Sequence, residues 1–195
     1  MSMNITSKAA DALYQACIQQ VKESLEDSLN VDKKHAFHES ANFLILEPDL
    51  HKNPVSYDGQ KFSHSKQDEA FELETLHYNQ LILSDEVDSL IKCLRREPDS
   101  KKAYLSLWKN EFVFGKSGEI PCLVGIHFYI EEEKLFTVVQ MRSNELLSLL
   151  PIDICFGVAL QTYVADQLKL KLGSYTHQVA SLILYSKDVE KLKSI

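Results

Sequence analysis

No apolar run in this 195-residue chain approaches the roughly 20 residues a membrane span requires. The N-terminus, MSMNITSKAADALYQ, has no apolar signal core. A cytoplasmic protein with no membrane partner is the default expectation. Basic charge is also short. The 21 Lys and Arg against 28 Asp and Glu leave a formal charge of −7, which argues against general nucleic-acid binding but leaves room for a local basic pocket. Gly and Pro are few, and neither a repeat nor a low-complexity tract is present. The four cysteines, Cys17, Cys93, Cys122 and Cys155, show no CxxC pairing and no zinc spacing. A disulfide framework and a metal site are therefore not expected.

What remains is a composition of 45% hydrophobic and 25% charged residues, enough for one domain over 1–195 with a sizeable core. Apolar spacing predicts a helix over 8–29, with Ser7 as its N-cap and Cys17 in its core. A strand is expected over 41–47, ended by Pro48, with Lys33, Lys34 and His35 in a solvated turn before it. Residues 49–65 read as a surface loop and 67–83 as a helix. A second amphipathic helix spans 86–96, capped by Ser84 or Asp85 and stopped before Pro98, with Cys93 as plain core. A strand over 101–108 follows. Two β-rich runs, 122–130 and 134–141, flank the acidic turn 131–133 and form an antiparallel pair. A helix over 153–168, apolar on more than one side, is followed by a break at Gly173, a strand over 174–185 and a short helix over 189–195. Strands and helices mix without βαβ regularity, so the fold class is α+β.

The chain is organised around 119–153, which sets Cys122, the pair Arg142–Ser143 and Asp153 at fixed distances. On periodicity alone each has an ordinary reading. Cys122 is a buried strand residue, Arg142 lies at the surface, and Asp153 is a helix N-cap.

The order of motifs points elsewhere. PC at 121–122, RS at 142–143, LP.D at 150–153, G...H at 173–177 and Tyr185 at a strand end resemble the thymidylate synthase family. Upstream, VDSLIKCLRREPDSKKAYLSLW resembles the family's helix, its Pro-Asp-Ser with two basic residues, and its strand ending in Trp. The resemblance covers about 85–192. It implies a thymidylate synthase-like α+β fold, a large mixed or antiparallel sheet flanked by helices, with two sheets packed back to back in a homodimer. The run 122–141 is apolar at nearly every position, which suits burial on both faces.

The resemblance also assigns roles. Cys122 takes the position of the nucleophile, the thiolate that adds to C6 of a pyrimidine so that C5 can accept a one-carbon unit from 5,10-methylenetetrahydrofolate. A guanidinium nearby, Arg142, favours a thiolate by charge. Arg142 and Ser143 match the pair that holds the 5′-phosphate of a pyrimidine nucleoside monophosphate. Lys101 and Lys102 match two basic residues, usually arginines, that reach that phosphate from the partner subunit, and Tyr185 matches a tyrosine that bonds the sugar. Asp153 replaces the family's uracil-reading asparagine. A carboxyl accepts from a cytosine amino group and, when protonated, donates to N3. Aspartate here is similar to the enzymes that hydroxymethylate CMP or dCMP, in which water completes the reaction.

Departures are visible as well. Leu123 stands where histidine is common, Glu145 where aspartate is expected, and Ile183 where a sugar-binding histidine lies. An arginine-rich phosphate loop is not evident. His35 and Lys34 stand in its place, and Glu72 and Glu74 are the candidates for the family's water-organising glutamate. Typical members continue for several elements beyond the tyrosine to a tail that closes over folate. The expected activity is hydroxymethylation at C5 of a cytosine nucleotide. The alternative is a catalytically retired relative that binds nucleotides or a protein.

Overall fold

A computed structural model describes residues 2–26, 35–48, 85–108 and 121–195. The predicted loop over 49–65 and helix over 67–83 lie outside the described residues, as do Lys33, Lys34, Glu72 and Glu74. The strands are β1 (Ser2–Ser7), β2 (His35–Ile45), β3 (Tyr104–Ser106), β4 (Leu123–Glu131), β5 (Lys134–Met141), β6 (Asn144–Glu145) and β7 (Lys171–Tyr185). The helices are α1 (Ala10–Glu26), α2 (Asp85–Arg96), α3 (Leu150–Leu168) and α4 (Val189–Ser194). All strands join one seven-stranded sheet of order β1-β2-β7-β5-β4-β3, with β6 paired to β7.

The sheet is mixed. β4 and β5 form an antiparallel hairpin, while β5 and β7 run parallel and are joined through α3. The hairpin loop is tight. Glu131 pairs with Lys134, leaving Glu132 and Glu133 at φ 48 and 57. This backbone, left-handed at both loop residues, normally selects Asn and Gly. Here two glutamates accept it.

Three boundaries differ from the sequence reading, each for a physical reason. β1 was not expected because only Met3 and Ile5 of its residues face the core. It is recruited by parallel pairing along β2, which begins at His35 rather than at 41. His35 therefore sits in a strand, not a turn. Ser7 ends β1, and its Oγ accepts from the Ala9 backbone N–H at 3.4 Å just ahead of α1. α3 starts three residues early because Pro151 is tolerated in a first turn. It ends at Lys169, whose φ of 60 is the left-handed stop, so Gly173 is not a break but lies inside β7. There a Cβ would come 2.8 Å from the Phe136 ring. The strand expected over 101–108 shortens to β3, with Lys101 and Lys102 in an exposed turn.

One sheet face is fully covered. Phe43, Ile126, Phe128, Leu135, Val139, Tyr175 and Leu182 pack beneath the helices, with Leu13, Tyr14, Cys17 and Val21 from α1 and Leu150, Ile154, Val158 and Val164 from α3. α3 is buried over more than one side, as its composition implies, although Ala159 is exposed and Phe156, Tyr163 and Leu168 are half-buried. Buried Gln161 donates to the Leu135 carbonyl at 2.9 Å and the Gly173 carbonyl at 3.3 Å, fastening α3 to β5 and β7. Cys17 is core as expected, whereas Cys93 is half-buried and its thiol reaches Ser100 Oγ at 3.6 Å.

The other sheet face is half-buried within one chain. Val124, His127, Tyr129, Phe136 and Val138 lie there, with Tyr129 stacked on Phe136 at 5.0 Å. A polar row crosses it. Tyr104 donates to Gln140 at 2.8 Å, Gln140 to Gln178 at 3.4 Å, and Asn42 to Asn4 at 3.1 Å.

Candidate functional site

The β4–β5 hairpin register brings the first site residues together. A bulge between Leu123 and Gly125 shifts the ladder by one, so that Leu123 faces Met141 and the Arg142 backbone N–H donates to the Cys122 carbonyl at 2.9 Å. Cys122 and Arg142 are thus neighbours across two strand ends. The half-buried Cys122 Sγ lies 3.3 Å from Ser143 Oγ, and Arg142 Nη1 donates to that same Oγ at 3.3 Å. The guanidinium is held in place. Its Nε donates to the Pro121 carbonyl at 3.0 Å, and its central carbon lies 6.0 Å from the Trp108 ring centroid. Thiol, hydroxyl and guanidinium therefore form one connected, partly open cluster.

Behind this cluster the polar network runs into the core. Asn144, next to Ser143 in the chain, is buried, and its Nδ2 donates to His177 Nε2 at 3.2 Å. An imidazole nitrogen that accepts carries no proton, so Nδ1 of the neutral ring bears it. His177 Nδ1 therefore donates to Tyr175 Oη, 2.8 Å away. Burial pushes the His177 pKa down to about 3, which keeps the ring neutral. The Tyr175 phenol is pushed well above its usual range by burial first, then by the charge of Asp153 and by Cys155. Its oxygen lies where a Cβ on Gly157 would come within 2.2 Å. Asp153 itself is buried in the first turn of α3, where a carboxylate suits the positive end of the helix dipole. The N-cap position is Leu149, which makes no side-chain capping bond. The N-cap reading of Asp153 is therefore corrected: the helix begins at Leu150.

Glu145 Oε2 accepts from the Leu147 N–H at 3.1 Å, the Ser148 N–H at 2.6 Å and the Ser148 hydroxyl, organising the approach to α3. Its other oxygen, Oε1, is buried without a partner, as is Asn144 Oδ1.

Of the residues singled out in the sequence, Cys122, Arg142 and Ser143 meet directly. Asp153 lies on the far side of the Asn144–His177–Tyr175 chain. Tyr185 ends β7, half-buried, with its ring 5.3 Å from that of His35. Lys101 and Lys102 are exposed; Lys101 is close enough that its charge, after burial, lowers the His127 pKa. Asn144 and Tyr175 were missed, and His177 entered only as the histidine of the G...H motif, with no role assigned. Their only signal was the alternation of Tyr175, His177 and Val179 with polar Ser174, Thr176 and Gln178 along the strand. Among the described residues no three His, Cys, Asp or Glu could jointly hold a metal ion, and no helix is long and apolar enough to cross a membrane.

The thymidylate synthase family model matches residues 57–195. The chain belongs to the thymidylate synthase family. Thymidylate synthase from Mycoplasma genitalium is 28% identical over 109 residues, covering 56% of this chain and 38% of that protein. The bifunctional dihydrofolate reductase-thymidylate synthase of Paramecium tetraurelia is 30% identical over 109 residues, covering 56% of this chain and 23% of that protein. Among solved structures, thermostable thymidylate synthase A from Bacillus subtilis superposes with a TM-score of 0.53 at 25% identity, covering 56% of this chain and 39% of that one. The fold is thus the α+β fold of the family. The match reaches less than half the length of these relatives, and β1, α1 and β2 precede the residues matched by the family model.

Proposed function

We propose that this chain binds a pyrimidine nucleoside monophosphate and transfers a one-carbon unit to C5 of its base, with Cys122 as nucleophile. The observation that carries the reading is the Cys122–Ser143–Arg142 cluster, a thiol and a guanidinium joined through one hydroxyl. Arg142, oriented by Pro121 and Trp108, offers a planar fork suited to phosphate oxygens, and Ser143 adds a donor. The Cys122 thiolate adds to C6 of the base, which makes C5 nucleophilic. Once C5 held the one-carbon unit, loss of the C5 proton would expel tetrahydrofolate and leave an exocyclic methylene; water would add to it, and the Cys122 thiolate would depart to restore the C5–C6 double bond. Asp153 favours a cytosine base, CMP or dCMP, because a carboxyl accepts from the C4 amino group.

When bound, 5,10-methylenetetrahydrofolate supplies the one-carbon unit. The buried, unpartnered Oε1 of Glu145 is an acceptor of the kind an N–H-rich pterin ring satisfies, so Glu145 is the residue that would hold it. The half-buried face carrying Val124, His127, Tyr129, Phe136 and Val138 is suited to a second copy of the chain. In such a homodimer Lys101 and Lys102 would serve the partner's phosphate.

Calorimetry with CMP, dCMP, UMP and dUMP, followed by a folate-dependent assay of tritium exchange at C5, tests the reading. Arg142→Ala should abolish nucleotide binding, and Cys122→Ser should abolish exchange while sparing binding. Activity in purified Cys122→Ser protein would sink the mechanism. The second reading, a nucleotide-binding relative without catalysis, is favoured by Ile183, an apolar residue at the sugar end. It predicts binding with no exchange. A strict monomer by light scattering would remove Lys101 and Lys102 from the site.

A further inference from the structure

We propose that the sugar end of this pocket is built across the β2–β7 pair, with His38 and Ser181 as the group that binds pentose hydroxyls and Tyr185 as its wall. The inference rests on the nucleotide reading above and names residues outside it.

His38 stands directly opposite Ile183, and His35 opposite Tyr185. Partners across a ladder share a face. On β7, Ser181, Ile183 and Tyr185 alternate onto one face and are all half-buried, while Leu182 and Leu184 point into the core. The contacts are continuous. His38 Nε2 lies 2.6 Å from Ser181 Oγ, the His35 ring lies 6.1 Å from His38 and 5.3 Å from Tyr185, and Lys187 Nζ lies 5.6 Å over the Tyr185 ring.

Two further observations mark the cluster as a site rather than support for the sheet. Register irregularities fall between His35 and Phe37 and between Glu39 and Ala41, bracketing His38. Such bulges re-aim side chains and concentrate beside active sites. The position is also tied to the Cys122 cluster. β6, which follows Ser143 immediately, pairs with Leu182 and Ile183 from the other flank of β7, and Leu146 N–H donates to the Ile183 carbonyl at 2.9 Å. Glu145, Ile183 and His38 therefore form one row across three strands, and His38 stands two strand spacings, roughly 10 Å, from the strand continuing Ser143.

The chemistry suits a pentose. Ile183 and the Tyr185 ring offer apolar surface to C–H groups. His38 and Ser181 can each donate and accept, as hydroxyls require. Without ligand the two satisfy each other. The absence of a polar side chain at Ile183 is thus offset from the facing strand.

Calorimetry with CMP, dCMP and 2′,3′-dideoxy-CMP on the wild-type chain, His38→Ala and Ser181→Ala tests this, with circular dichroism confirming the fold. Each substitution should weaken CMP about three- to tenfold, the worth of one hydrogen bond, and the dideoxy nucleotide less than about twofold. As a second measurement, the wild-type His38 imidazole resonances should shift on adding CMP and stay in place with the dideoxy compound. Equal losses for all three nucleotides, or an unmoved imidazole, would overturn the sugar end alone. No binding of CMP to the wild-type chain would overturn it together with the nucleotide reading.

Discussion

His177 offers a quantitative test of the buried network. Its ring is fully enclosed, accepts from Asn144 and donates to Tyr175. Its pKa in the fold is about 3, against about 6.5 in an unfolded chain. A depressed pKa means that the unfolded state takes up the proton first. The stability held by the neutral ring is therefore complete above pH 6.5 and is lost as pH falls toward 3. At about 1.4 kcal/mol per unit, acidification from pH 7 to pH 5 should cost about 2 kcal/mol through this residue alone. That is a large share of the 5–15 kcal/mol typical of a domain. Urea unfolding of the wild-type chain and of His177→Gln at pH 7 and pH 5 isolates the effect, because the carboxylates are common to both. The gap between the two proteins should shrink by about 2 kcal/mol on acidification. A gap that stays constant would refute the placement of a neutral, sealed imidazole. So would a His177 ring signal that titrates near pH 6 in native protein.

Other predictions follow from single features. Gly157→Ala would set a methyl 2.2 Å from Tyr175 Oη, so it should destabilise the chain by about 1–3 kcal/mol, read as a fall in Tm, while Ala159→Ser on the exposed side of α3 should leave Tm unchanged. Replacing Glu132–Glu133 by Asn-Gly should relieve two left-handed residues, gain about 2 kcal/mol and raise Tm by roughly 4–8 °C; no gain would mean the loop is not strained. Burial pushes the Cys17 thiol up to about 12, so a thiol reagent at neutral pH should label the half-buried Cys122 well before Cys17 in folded protein.

Much of this molecule was legible where the signal is local. The hairpin around the acidic turn, the amphipathic α2 and the apolar α3 follow from periodicity, and the hairpin alone brings Cys122 opposite Arg142. The resemblance then supplied their chemistry. What could not be read depends on pairing between distant strands. Nothing in the stretch around His38 signals that it will face Ile183, since that register is set by one bulge in β2 and one in β7. β1 was invisible because its polar outward residues dilute a two-residue apolar signal. Asn144 and His177 lie far apart in the chain, and no periodicity connects them.

The position of β7 has a consequence for how the protein is made. It lies between β2 and β5, so without it the sheet falls into β1 with β2 and β3 with β4 and β5, and β6 loses its one partner among the described strands. Yet among the described strands β7 comes latest in chain order. Until residue 185 has emerged, β2 and β5 both wait with an unpaired edge, the kind of exposure that invites association between nascent chains. The same strand joins the two parts of this sheet and carries His177, Ser181 and Tyr185, so closure of the sheet and assembly of the candidate site are a single event.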